Sequence, residues 1–483
     1  MQSLMNSRPQ SRWLNTELSA NEVQNFRADA NKLVLTALLP LPFFPKLRAL
    51  RVSVVSLVVS YAEARRTGSP LPGRDFKTRP DTETHRWCPY CCKMRTNSQN
   101  GLLHRRRRPN VTNRERILAI LDGKTPDRIP WIPRLQIWYE ANRRAGTLPE
   151  RYRQRSLREV ERDVFGGTAA RDGMIYHMEI RDVEIRSRRV HQMETVTEYV
   201  TPVGTVTTRL RSTDRLRSQG IQDAEVEFML KRREDYPVVE YIIEHTHYRP
   251  AFDDYEKYER KVGPDGYPMV NCGDCPFHYW MRTLVGYDQG YFHLNDYPAE
   301  VEHLLGVLTD HLKENVWPNL LDSPARLLMH GHHLSSQMTP PPLFEKYILP
   351  YYRELSPLMR ARGKVLAMHA DNDTRQIFTH IEEAGFGMVE CFATHPLVPT
   401  TLAEARAAWN DRMIIFGGVP SVILEDPFTD EQFEEFMDDL FRTIAPGKAF
   451  ILGVADNVMP GAKIERIRRV TEMIEKRGAY PVS

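Results

Sequence analysis

The clearest hydrophobic pattern in the chain lies between Arg326 and Pro396, where three short apolar runs each end in residues able to bind metals or protons. Arg326-Leu-Leu-Met ends in His330-Gly-His332-His333. Val365-Leu-Ala-Met ends in His369-Ala-Asp371-Asn372-Asp373, and Gly387-Met-Val ends in Glu390-Cys391-Phe-Ala-Thr394-His395. The stretches between them, 342–362 and 374–384, carry helical patterning. Strand, helix, strand predicts parallel βαβ units. In such folds chemistry gathers where strands end, because the loops that follow converge there.

The folded part is predicted to begin at Thr112, which forms a capping box with Glu115 and starts a helix that stops at Gly123. Residues 131–139 predict a first strand and its loop, 142–155 a basic, turn-rich stretch, and 156–165 a short amphipathic helix. Residues 194–200 and 205–210 alternate on either side of Thr201-Pro-Val-Gly204, the pattern of a hairpin inserted into a larger fold. Helices are predicted over 236–248, 252–262, 298–321, 402–409, 430–444 and 463–476. Strands are predicted over 268–271, 412–418 and 450–457. The strand over 412–418 closes in Gly417-Gly418, glycines that let backbone approach a ligand. At least five strand–helix units within the 373 residues from 111 onward fit a (β/α)8 barrel, an α/β TIM barrel, with an inserted β-hairpin. A doubly wound sheet is the alternative, but no GxGxxG follows a strand.

Charge divides the chain in two. Residues 1–110 carry 19 basic against 7 acidic residues, a balance of +12, which leaves −9 for the remainder of a chain whose net charge is +3. An acidic body argues against a nucleic-acid surface there. Residues 1–110 lack sustained periodicity and end in Arg105-Arg-Arg-Arg108, so they are expected to be a basic extension of low order. The apolar run 52–62 is too short for a membrane span and too far from the N-terminus for a signal peptide. Cys88-Pro-Tyr-Cys91-Cys92 is half a zinc ribbon with no second pair at suitable spacing. Six cysteines make no disulfide framework, which fits a reducing, cytoplasmic setting.

His369 is the strongest single candidate. A strand-end histidine beside Asp371 can ligate a metal with its ring oriented, or act as a general acid or base. Asp373 is either a further catalytic acid or the N-cap of the helix from Thr374. Strand alternation lets only one of Glu390 and Cys391 face the site. Either one, with His369, makes a set that zinc accepts. His330, His332 and His333 are further ligand candidates. Arg134 is placed to pair with a substrate carboxylate. Asn271, His332, Gln337, Asp456 and Asn457 are candidates for polar substrate groups. Cys272-Gly-Asp274-Cys275 is either a metal or redox pair or small residues packed beneath a loop.

Four passages make the chain from Thr112 onward resemble the uroporphyrinogen decarboxylase superfamily, which holds both tetrapyrrole decarboxylases and corrinoid-linked methyltransferases. They are Asn113-Arg-Glu-Arg-Ile-Leu-Ala-Ile-Leu-Asp-Gly with Asp127-Arg-Ile-Pro130, Thr339-Pro-Pro-Pro-Leu-Phe-Glu-Lys-Tyr-Ile-Leu-Pro350-Tyr-Tyr, Lys364-Val-Leu-Ala-Met-His369, and Phe450-Ile-Leu-Gly453 with Asn457-Val-Met-Pro460. The resemblance covers about 112–478 and implies a (β/α)8 barrel. The decarboxylase's arginine-rich motif is replaced by Gln136-Ile-Trp-Tyr-Glu-Ala-Asn142-Arg-Arg-Ala-Gly146. Asp371 stands where the methyltransferases have the Cys of His-x-Cys. The resemblance therefore implies a methyltransferase-like member. It would move a methyl group between a small O-, N- or S-methyl compound and a corrinoid on a partner protein, with zinc as Lewis acid. His369 with Glu390 or Cys391 would hold the zinc, Asp371 would orient the ring or relay a proton, and Arg134 and Asp456 would hold substrate. The alternatives are a metal-independent decarboxylase of a smaller acid, using Arg134 and His369, and a barrel retained as a binding protein.

Overall fold

The computed structural model describes residues 111–455 and 457–482. The expectations for residues 1–110, including Cys88–Cys92 and Arg105–Arg108, and that for Asp456 lie outside them. Strands are numbered along the chain: β1 Tyr176–Ile180, β2 Glu184–His191, β3 Glu194–Thr201, β4 Gly204–Arg211, β5 Ala224–Glu227, β6 Thr246–Pro250, β7 Val270–Asn271, β8 Leu327–Met329, β9 Val365–His369, β10 Met388–Phe392, β11 Ile414–Val419 and β12 Phe450–Val454.

Six of these form one sheet in the order β12-β11-β10-β9-β8-β7, and all of its pairings are parallel. Sequential neighbours joined by helices are what the βαβ pattern predicts. The strands are short and buried on both faces, as parallel strands under helices must be. Two further segments join the sheet at its edges. Trp131 bridges Leu452 in parallel, with Ile132 N donating to Leu452 O at 2.9 Å and Leu452 N to Pro130 O at 2.8 Å. At the other edge Met269 N donates to Ala170 O at 3.1 Å.

The predicted hairpin is β3–β4, paired in register from Glu194↔Arg211 to Thr201↔Gly204. It is part of a larger insertion: β2 and β5 flank it in a four-stranded antiparallel sheet, and β1 pairs with β6. Every residue of β2 is exposed, so no buried face imposed an alternation that the sequence could display.

Local chemistry explains the helix boundaries. Capping boxes start Asn113–Leu121 from Thr112, Leu157–Phe165 from Ser156, Leu402–Trp409 from Thr401 and Asp430–Ile444 from Thr429. Three expectations are corrected. Residues 136–145, read as loop and turn, form the helix Gln136–Ala145, which buries Trp138, Tyr139 and Ala141 and ends on Gly146 at φ 71°. The helix over 236–248 stops at Glu244, because Thr246–Pro250 is taken as a strand by β1. The long helix over 298–321 breaks into Pro298–Asn315 and Trp317–Asp322, where Pro318 has no N–H to continue it. Among the described residues no helix is long and apolar enough to cross a membrane.

Candidate active site

Parallel register sets His369, the last residue of β9, directly beside Glu390 of β10. His369 Nδ1 lies 2.6 Å from Glu390 Oε2, and both side chains are buried. The expectation that only one of Glu390 and Cys391 faces the site is overturned. β10 carries a bulge between Glu390 and Phe392, and Cys391 sits in it at φ 52°. An extra residue breaks the two-residue alternation, so the Cys391 thiol donates to Glu390 Oε1 at 2.7 Å. Arg134 Nη1 donates to Cys391 Sγ at 3.7 Å. Arg171 closes the other side in a salt bridge to Glu390 Oε1, its guanidinium over the Phe416 ring at 5.6 Å.

On the other side of the imidazole, Asp371 Oδ2 is 3.5 Å from His369 Nε2 and 2.7 Å from His333 Nδ1. The three histidines of His330-Gly-His332-His333 thus part company. His333, at φ 54°, meets Asp371. His332 goes to Asp274, whose Oδ1 accepts from its backbone N at 2.6 Å and lies 2.9 Å from its Nδ1. His330 meets the Tyr352 hydroxyl at 2.9 Å. Arg282 completes the Asp274 group at 2.7 Å. A residue with a side chain at positive φ is costly, and two of them, His333 beyond β8 and Cys391 in β10, mark a site that the surrounding packing imposes.

Burial would push Glu390 up, but Arg171 and then His369 hold it well below the usual carboxylate range. Burial would likewise strip the proton from His369, yet its neighbours raise its pKa well above the ordinary histidine value. Burial keeps the Cys391 thiol protonated, so at neutral pH the standing anions beside the ring are Glu390 and Asp371. The shifts run in opposite directions across the cluster, Glu390 and Asp371 toward the carboxylate and His369 toward the imidazolium.

Two groups of donor atoms lie within 4.8 Å of one another: His369, Glu390 and Cys391, and His333, His369 and Asp371. The first group offers nitrogen, oxygen and sulfur, a set that suits zinc. A metal there would have to displace the His369 and Cys391 protons and loosen Glu390 from Arg171.

Other expected site residues stand elsewhere. Asp373 is not in the cluster: its carboxylate accepts from Arg375 N at 3.1 Å and from the Thr400 hydroxyl, at the start of the short helix Arg375–Ile377. The bond to a backbone N–H two residues on is an Asx-turn leading into that helix, whose N-cap position is Thr374. Asn271 is exposed at the end of β7, its Oδ1 accepting from Gly273 N at 3.3 Å. Gln337 is exposed in a turn. Asn457 is buried just beyond β12. Cys272 and Cys275 are free and buried. Cys272 donates to Met329 O at 3.1 Å, and burial pushes Cys275 up to about 12. The pair contributes to neither group of donor atoms among the described residues. The glycines within β11 serve the fold: a Cβ on Gly417 would stand 2.6 Å from Phe392 N. Arg171, Asp274 and Arg282 were missed. The signal for Asp274 was present, an acid at a strand mouth. Arg171 follows no apolar run.

Residues 273–477 match the model of the family described as uroporphyrinogen decarboxylase (URO-D). No curated protein matches the sequence. Among solved structures, a methyltransferase from Methanosarcina mazei is similar at 12% identity with a TM-score of 0.44, over 76% of this chain and 99% of that one.

Proposed function

We propose that this chain, whose residues 273–477 match the uroporphyrinogen decarboxylase family model, moves a methyl group between a small methylated compound and a corrinoid carried by a partner protein. The sheet is read as closing into a (β/α)8 barrel through 130–132 and 168–172. The reaction is assigned to a reducing, cytoplasmic setting, where Cys391 stays a thiol. One observation carries the reading: the nitrogen, oxygen and sulfur donors of His369, Glu390 and Cys391 lie within 4.8 Å of one another at adjacent strand mouths.

In this reading those three residues hold zinc. Bound zinc would supply Lewis acidity at the heteroatom that carries the methyl group. Asp371 orients the His369 ring from its Nε2 side and links it to His333. Arg171 sets the charge and direction of Glu390. Arg134, Asp456 and Asn457 hold the substrate, and burial of the cluster excludes water. A second reading, a cofactor-independent decarboxylase of a small acid, draws on the two guanidiniums of Arg134 and Arg171 at the same cluster, since arginine pairs well with carboxylates.

The test is zinc content by elemental analysis of the full chain, purified reduced and without chelator, beside His369→Ala. The methyl-transfer reading expects one zinc per wild-type chain, none in the variant, and proton release on zinc uptake because the imidazole starts protonated. A wild type that takes up no zinc sinks the zinc site and leaves the decarboxylase reading.

A further inference from the structure

Glu161 is a buried acid that the cluster at the strand mouths does not use. It lies on the helix Leu157–Phe165, where burial pushes its carboxyl up to about 7. A carboxyl held in the interior costs stability unless its bonds offset the lost hydration. Those bonds go to one place. Oε2 accepts from the Thr168 hydroxyl at 2.6 Å, and the Ala169 backbone also favours the charged form. A hydroxyl on a carboxylate at that distance is a charge-assisted hydrogen bond, stronger than a neutral one.

Thr168 and Ala169 open the stretch that delivers Arg171. Residues 168–174 are neither helix nor strand, so no ladder of repeated bonds sets their course. Ala170 within them stands at φ 51°, a conformation that persists only where the surroundings fix it. The fixing is done bond by bond. Thr168 N donates to Asp265 O, Met269 N to Ala170 O, and Asp172 N to the Tyr258 hydroxyl, each at 3.1 Å. Glu161 adds the one carboxylate among these anchors, on the side where the stretch begins.

Arg171 depends on that fixing. Its side chain is only 12% exposed, and its guanidinium serves Glu390 in the salt bridge, Met269 Sδ at 3.1 Å and the Phe416 ring at 5.6 Å. A long side chain gives up much rotamer freedom when held in one direction, so its aim follows the backbone from which it leaves. No hydrogen bond or ion pair joins Glu161 itself to Arg171 or Glu390 among the described residues. Its influence on the cluster runs through the stretch between them.

We propose that Glu161 is a positioning residue: through Thr168 and Ala169 it fixes the backbone from which Arg171 is aimed at Glu390. The bearing of this on chemistry rests on the role given to Arg171 above, while the positioning itself needs no zinc.

The test is a double-mutant cycle, read by denaturant unfolding of the full chain at pH 8 without added metal. Thr168→Val removes the hydroxyl and leaves the carboxyl in place. It is expected to raise the unfolding equilibrium constant about tenfold in the wild-type background and less than about threefold beside Arg171→Met, because effects that run through a shared partner do not add. Glu161→Gln should likewise raise that constant more in the wild-type background than beside Arg171→Met. An anchor that serves only its own helix and loop would change it by the same factor in both backgrounds, and equal factors for either substitution overturn the proposal. Arg171→Lys replaces Arg171→Met if that chain does not fold, and Thr168→Val carries the test if Glu161→Gln does not. Equal factors would leave the zinc reading standing, and a wild type that takes up no zinc would leave the positioning role standing.

Discussion

Glu390 is a carboxylate with no exposed surface, and Arg171 is the first of the groups that keep it charged. Removing one partner of a buried pair costs about 3–5 kcal/mol, because the charge left behind is neither solvated nor matched. Arg171→Met is therefore expected to destabilise the protein by roughly that amount at pH 8. The sign of the pH effect follows. In the wild type Glu390 is depressed below 4.5, so its contribution is present above pH 4.5 and is lost as pH falls through the folded value. Without Arg171 the burial effect is less opposed and the carboxyl takes up a proton more readily. The variant's deficit should shrink between pH 8 and pH 5. Denaturant unfolding at both pH values checks this; an equal deficit at each would show that Arg171 acts through packing instead. His369, Glu390 and Cys391 were legible in the sequence because each directly follows an apolar run. Arg171 was not, since it reaches Glu390 from 219 residues upstream on a stretch with no strand pattern of its own. Asp373 was legible only as an acid beside His369. That it serves Arg375 N and Thr400 depends on where the following turn runs.

Among the elements, β10 departs most from its pattern, and the departure builds the site. Its bulge turns Cys391 toward Glu390 and shifts the register, so that Phe392 pairs with Gly417. Gly417 is at φ 151°, and a Cβ there would lie 2.6 Å from Phe392 N and 2.8 Å from Phe392 O. Only a residue without a side chain lets β11 approach the bulge this closely. Gly417→Ala should cost on the order of 2–4 kcal/mol, as strain and overpacking add, and should weaken any metal held by Cys391. A variant as stable as wild type would mean that β10 and β11 can move apart and that the bulge is not imposed by packing. Periodicity gave the position of both strands. It did not show the bulge, because a bulge replaces alternation at one residue and leaves the apolar run intact.

For the whole molecule, the question is how the six-stranded sheet is finished at its edges. Residues 130–132 and 170 hydrogen-bond to β12 and to Met269 at opposite edges. If the sheet closes, the amides of Ile132 and Leu452 should exchange with solvent as slowly as those of β11. Those of the exposed β2 edge should exchange orders of magnitude faster, since protection tracks the free energy of opening. Hydrogen exchange resolved by residue measures this; fast exchange at Ile132 would argue for an open sheet. By itself the sequence determined the order of strands and helices from β8 to β12, the β3–β4 hairpin, the capped helix starts, and the strand end at which His369 stands. These depend on neighbours a few residues apart, through periodicity, caps and turns. Only the tertiary structure decided that Arg171 meets Glu390, that His330, His332 and His333 go to three different partners, and that Cys391 joins Glu390 on one side. Those contacts join segments far apart in the chain, and their geometry is set by packing and register rather than by any pattern within one segment.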